Sequence, residues 1–188
     1  MVFSTTMPLN NTAARLILRP PEERDETAVR GLFAELRQEN FDFLALNQDP
    51  TAADWDWSAV INHLRRIADG KDLPPGIVRA DFLLAEVDGQ VVGRSSIRYG
   101  LTDFLRREGG HIGYAVGPRF RRRGYATDIL RQSIDRLRAN GIGKVLVTCD
   151  ATNTASAAVI EKCGGQLADV VPSTRRKLVR RYWIDADA

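Results

Sequence analysis

Between Gly110 and Asp150 the chain reads GHIGYAVGPRFRRRGYATDILRQSIDRLRANGIGKVLVTCD, and the spacing of its apolar residues changes along the way. An apolar run comes first, then an arginine-rich loop, then a segment in which Ala126, Ile129, Leu130, Ile134 and Leu137 recur at steps of three and four. Asp128, Arg131, Asp135 and Arg138 fall on the opposite side of that segment, so it reads as an amphipathic helix. Asn140-Gly141 supplies a residue able to take positive φ at its end. A second apolar run follows. The unit is strand, loop, helix, strand.

Gly124 sits where the loop turns into the helix, and the N–H groups of a first helical turn have no intrahelical acceptor. Arg121, Arg122 and Arg123 lie beside those donors, and the positive end of the helix dipole points the same way. A phosphate or pyrophosphate suits that arrangement. The plainer reading of the same residues is a solvated basic face ahead of an ordinary helix.

The rest of the chain organises around this unit. Residues 1–13 read as a loose N-terminal segment and residues 14–188 as one domain, since 188 residues are enough for one good core and short for two. Arg15 to Arg19 alternates as a strand. A helix with Asp25 as N-cap turns Ala28, Val29, Leu32, Phe33 and Leu36 inward, and Thr51-x-x-Asp54 resembles a capping box opening a second helix striped by Trp57, Val60, Ile61, Leu64 and Ile67. FLLAEV and VVGRSSIRY flank Asp88-Gly89-Gln90 as a hairpin. Leu101 to Gly109 reads as a loop or a short helical turn. After the central unit come a helix over Thr154 to Lys162 and strands over Gln166 to Val171 and Lys177 to Ile184. An antiparallel meander followed by a βαβ crossover gives an α+β fold on a mixed sheet.

Bulk numbers exclude several classes. Lys+Arg exceed Asp+Glu by only 27 to 24, which does not suit a nucleic-acid binder. No run approaches the ~18 apolar residues of a membrane span, and the first residues lack a signal-peptide pattern, so a soluble cytoplasmic protein is expected. Cys149 and Cys163 have no metal spacing and no His partner, so they read as free packing thiols with no metal site expected. Trp55 and Trp57 fit a helical stripe and read as packing, and Arg175-Arg176-Lys177 with Arg180-Arg181 as a solvated hairpin.

Arg121-Arg122-Arg123-Gly124-Tyr125-Ala126 resembles the Arg/Gln-x-x-Gly-x-Gly/Ala loop by which GNAT-superfamily N-acetyltransferases hold the pyrophosphate of acetyl-CoA. GGHIGY, GYAT and VIEKCGG, between Tyr99 and Gly165, resemble a GNAT subgroup whose substrates are poorly defined. The resemblance implies a cytoplasmic enzyme that moves an acetyl group from acetyl-CoA to a small-molecule or peptide amine by direct attack in a ternary complex, without metal. It assigns the pyrophosphate to the backbone of Arg122 to Ala126, with Arg121 and Arg123 contributing side chains and Thr127 just behind. It also implies a strand that splays from its neighbour and lends the backbone of Tyr114, Ala115 and Val116 to the pantetheine arm, with Val116 N–H meeting the oxyanion. Asn153 matches a cofactor contact and equally an N-cap; Ser156 reaches the thiol end or bonds the backbone.

Two catalytic roles stay open in the sequence. His111 stands at the head of the strand where several GNATs place a catalytic Glu, and it reads either as the general base or as a strand-end histidine bonded to a neighbouring backbone. Where many GNATs carry a Tyr general acid, this chain has Ile160, which has no proton to give. Either Tyr114, Tyr125, Ser156 or water takes the role, with Tyr114 as the first choice, or the thiolate leaves without an acid. The same departure admits a non-catalytic acyl-CoA-binding domain as the alternative. The exposed C-terminal strands admit a homodimer.

Overall fold

The computed structural model describes residues 15–39, 41–44, 49–50, 52, 54–174 and 176–187. In chain order the elements are β1 (Ile17–Arg19), α1 (Glu26–Arg37), α2 (Trp57–Asp69), β2 (Ala80–Val87), β3 (Gln90–Arg98), β4 (Ile112–Val116), α3 (Tyr125–Arg138), β5 (Lys144–Asp150), α4 (Thr154–Lys162), β6 (Gln166–Pro172) and β7 (Leu178–Asp185). They form one seven-stranded sheet in the order β1-β2-β3-β4-β5-β7-β6. The pairs are antiparallel except β4 with β5, which run parallel, as the intervening α3 crossover requires. This is the α+β mixed sheet read from the sequence.

Strand alternation divides the core into two layers. Leu83, Ile97 and Ile112 meet Leu130, Ile134 and Leu137 of α3 and Ile160 of α4 on one face. Phe82 and Leu84, one step along β2, pack on the other face with Val29, Leu32 and Phe33 of α1 and Trp57, Val60 and Ile61 of α2. Both Trp57 and Trp55 are packing residues, stacked with ring centroids 5.4 Å apart. Cys149 is buried, Cys163 is half-buried, and both are free thiols.

Two helix starts differ from expectation. Asp25 does stand before α1, but a 3-10 turn over Glu23–Asp25 already gives it helical backbone angles, φ −85° and ψ −8°, and its side chain caps nothing in α1. Its carboxylate instead accepts two hydrogen bonds from Arg19 at 2.7 Å, and Arg19 also binds Glu86 of β2. That pairing holds Asp25 below the usual carboxylate range despite burial. For α2 the N-cap is Asp56, whose Oδ1 accepts from Ala59 N–H at 3.1 Å; Thr51 lies outside the described residues, as does Arg175. The segment before β4 forms a π-type turn over Leu105–Gly109. Among the described residues no helix is long and apolar enough to cross a membrane, and no cluster of His, Cys, Asp and Glu is suited to a metal ion.

Candidate active site

The parallel pair β4–β5 is joined at one end only. Its single register pair is Ile112 with Val147. Just before it, His111 N–H donates to Leu146 C=O at 2.7 Å and Leu146 N–H donates to His111 Nδ1 at 2.9 Å. Thr148 Oγ1 adds a bond to Glu108 C=O at 2.5 Å. Gly110 makes this junction possible: it has φ +63°, and a Cβ there would sit 2.7 Å from Leu146 C=O.

Beyond Ile112 the two strands part. Gly117 N–H donates to Val92 C=O and Arg98 N–H to His111 C=O, so the odd-numbered residues of β4 turn their peptide groups toward β3. Tyr114 and Val116 therefore turn theirs toward β5, where no ladder partner meets them. The peptide of Ala115 faces β3, so Ala115 contributes wall and not donors to the gap. Gly93, opposite Val116, has no room for a Cβ, which would collide with the Ala115 carbonyl. Buried peptide groups without partners cost free energy comparable to a lost hydrogen bond. An unpaired strand edge of this kind suits an extended, amide-bearing ligand.

The gap runs into the loop before α3. Arg122 and Gly124 both hold positive φ, +64° and +85°, and none of the backbone N–H groups from Arg122 to Ala126 donates to a described residue. Successive donors in such a turn, at the start of a 14-residue helix, make a concave anion site. The three arginines divide their work. Arg121 forms a two-point pair with Glu39 at 2.9 and 2.6 Å and sends Nε to Val116 C=O at 3.3 Å, which ties the end of α1 to the loop. Arg123 reaches Arg119 C=O at 3.3 Å. Arg122 is exposed. Thr127 is buried, its N–H bonded to Gly124 C=O and its own carbonyl near Cys163 Sγ.

At the inner end, Tyr114 Oη lies 2.9 Å from Ser156 Oγ. Burial pushes the Tyr114 hydroxyl up to about 12, so it is a protonated phenol throughout the working range. Ser156 N–H donates to Asn153 Oδ1 at 2.9 Å, so Asn153 is the N-cap of α4 and fixes the turn that carries Ser156. Ile160 is fully buried one turn further on. Tyr125 stands half-buried at the loop end of α3, in contact with the α1/α2 core. His111 is buried, and desolvation with Arg106 and Arg98 nearby pulls its imidazole down to about 4. The structure thus brings Tyr114, Ser156 and Asn153 together, and sets His111 apart at the closed end. Glu39, Gly93 and Gly110 belong to the same architecture and were not singled out by sequence; Gly110 stood within the GGHIGY motif, whereas Glu39 carries no local signal.

The parallel pair, joined at one end only, thus leads into a turn of free backbone donors at a helix N-terminus, a shape suited to an extended ligand that carries an anion. The sequence profile of the acetyltransferase (GNAT) domain matches residues 15–166, and the chain belongs to this acetyltransferase family, which uses acetyl-CoA as acyl donor. The fold agrees. A probable acetyltransferase superposes with TM-score 0.69 at 20% identity over 91% of this chain and 93% of the other. The putative acetyltransferase yncA from Salmonella typhimurium, solved with acetyl-CoA, gives 0.61 at 17% over 92% and 94%. RimL, a ribosomal L7/L12 alpha-N-protein acetyltransferase in complex with coenzyme A, gives 0.67 at 17% over 94% and 97%. No curated protein matches the chain.

Proposed function

We propose that this acetyltransferase acetylates a primary amine by direct attack within a ternary complex, with the donor held along the free edge of β4. The observation that carries the reading is that the peptide groups of Tyr114 and Val116 have no ladder partner on β5, next to the free N–H groups of Arg122 to Ala126. The loop donors would hold the pyrophosphate, with Arg122 and Arg123 flanking it and Thr127 packed behind. Arg121, already bound to Glu39 and to Val116 C=O, would position the loop. Bound there, acetyl-CoA supplies an activated thioester.

The residues then divide three tasks. Val116 N–H, fixed and without a ladder partner, meets developing negative charge on the carbonyl oxygen. Tyr114 Oη, protonated and bonded to Ser156, donates to the departing sulfur in the role Ile160 cannot fill, and the proton lost by the acylated nitrogen returns to the Tyr114 oxygen through solvent. His111 fits the base role poorly. Taking a proton from an ammonium of pKa ~10.4 into a site near 4 is uphill by about 9 kcal/mol. We assign His111 to holding β4 against β5 through Nδ1, a duty for which a permanently neutral imidazole is suited. The amine then reacts as its small neutral fraction, and kcat/KM rises with pH toward the amine pKa.

Thermal unfolding tests the reading. Acetyl-CoA and CoA at about 100 times Kd should each stabilise the wild type by about 2.7 kcal/mol, and ATP should not. Gly124→Glu, which sets a carboxylate on the anion site and a side chain at φ +85°, should abolish that rise. Equal stabilisation of both proteins would sink the assignment.

A further inference from the structure

On the face of the sheet opposite α3, two arginines converge on one point. Ser95 Oγ bonds Ser133 Oγ of α3 at 2.8 Å, so Arg94, Ser96 and Arg98, alternating with Ser95 and Ile97 along β3, face the other way. Gly113 lies opposite Ser96 on β4 and has no side chain to cover the spot. The point where its Cβ would stand is 3.5 Å from Arg94 Nη1, 3.6 Å from Arg98 Nη1 and 3.7 Å from Arg98 Nη2. Both guanidinium groups thus come within contact distance of one point above Gly113.

Burial makes this expensive. Arg94 is only 3% exposed, and its Nε has no hydrogen-bond partner. Its hydrogen bonds go to carbonyls, Gly113 C=O at 3.0 Å and Asp42 C=O at 3.4 Å, and the rings of Phe41 and Phe82 lie 5.3 and 5.7 Å from Cζ. Arg98 donates to the carbonyls of Gly109 and Gly110. Among the described residues no carboxylate forms an ion pair with either arginine, although Asp42 is near enough for its charge to be felt at Arg94. A buried charge without a paired anion costs several kcal/mol, and two together repel. Gly113, Ser96 and Arg98 are each partly exposed, so the spot is reached from solvent. It adjoins Tyr114, and Val116 lies three residues along the same strand, roughly 10 Å away.

We propose that Arg94 and Arg98 form a seat for an anion carried by the acceptor, so that the substrates of this enzyme are amines bearing a carboxylate or phosphate several bonds from the nitrogen. The inference rests on the acetyl-transfer reading above. With the seat filled, the arginine pair gains a counter-charge, and the nitrogen at the far end of the acceptor is directed along β4 toward the gap.

The test begins with protein saturated with CoA, so that the loop at Arg122 to Ala126 is occupied, and a rise in melting temperature on adding CoA checks the parent reading by itself. Inorganic phosphate is then titrated at constant ionic strength against chloride. Phosphate should raise the melting temperature further in the wild type and should not in Arg94→Met. In the absence of phosphate, Arg94→Met should melt at or above the wild type, because an uncompensated buried charge has been removed; Arg98→Met, at the half-buried partner, carries the same test should Arg94→Met not fold. With acetyl-CoA, ω-amino carboxylates of increasing length should be acetylated roughly tenfold to a hundredfold better in kcat/KM than their amides, a preference lost in the Met variants. Running O-phosphoethanolamine beside the carboxylates tells the two anions apart. A phosphate effect absent in the wild type, or unchanged in Arg94→Met, overturns the proposal while leaving the CoA result standing. A lowered melting temperature in both variants, with the acid-over-amide preference intact, would show instead that the arginines only brace the loop against the sheet.

Discussion

The two ends of the β4–β5 junction are built from the same two strands and behave as opposites. At the closed end, three hydrogen bonds and one register pair gather within a few residues of His111, and one of the bonds is accepted by an imidazole in place of a carbonyl. At the open end, two residues later, the peptide groups of Tyr114 and Val116 have no ladder partner. The difference teaches that the site is held open by reinforcement elsewhere. A rupture in mid-sheet persists because β3 binds β4 along its whole length, because Gly117-Pro118 turns the chain away at its end, and because the junction at Gly110 is over-determined.

The strongest way to break this contrast is Gly110→Ala. A side chain at φ +63° with Cβ 2.7 Å from Leu146 C=O must push β5 aside, and a loss of about 3 to 4 kcal/mol in unfolding free energy is expected by urea titration. Acid does nearly as much. The imidazole of His111 titrates near 4 in the folded protein and near ~6.5 when unfolded, so between those values the unfolded chain binds more protons and stability falls as pH drops. Unfolding measured at pH 7 and near pH 4 should show about 3 kcal/mol attributable to His111, and His111→Gln should remove that part of the pH dependence. The same variant should leave the rising pH profile of kcat/KM in place; loss of that profile would restore His111 to the base role.

At the open end, Tyr114→Phe removes the hydroxyl and keeps the ring. A fall in kcat of roughly tenfold to a hundredfold is expected, worth about 1.4 to 2.7 kcal/mol, with the acetyl-CoA Kd unchanged by titration calorimetry. An unaltered kcat would remove Tyr114 from the chemistry. Asn153→Ala is the mildest probe: it takes away the cap of α4 and should cost about 1 kcal/mol of stability, with a smaller effect on kcat through Ser156.

What the sequence made visible follows the range of the interactions concerned. α3, α4 and the β2–β3 hairpin are set by periodicity, caps and turns within about fifteen residues, and their limits were readable to within a residue or two. Asn153 was readable as a cap for the same reason. What was not readable lies where a distant residue decides. The carboxylate of Asp25 is claimed by Arg19, which is placed by pairing of β1 with β2 and by Glu86, 67 residues from Arg19. Arg121 reads locally as a phosphate ligand, yet it binds Glu39, 82 residues away. The duty of His111 depends on the backbone of Leu146, 35 residues on, which no pattern around His111 announces. Arg94 sits in an alternating strand like any outward polar residue, and only the packing of Phe41 and Phe82 over it shows that it is buried.

The strand order carries a further consequence, for the way the chain assembles. β7 lies between β5 and β6, so β6 has no sheet neighbour until a later segment has slotted in beside β5. As the polypeptide leaves the ribosome, the hairpin of β2 and β3 and the β4–α3–β5 crossover can form in turn, whereas the outer edge of β5 stays bare until Tyr182 and Ile184 arrive to cover it. The last strand in sequence is therefore a latch: it closes two ladders in one event, and a nascent chain stalled before Leu178 would present both β5 and β6 as open edges to its neighbours.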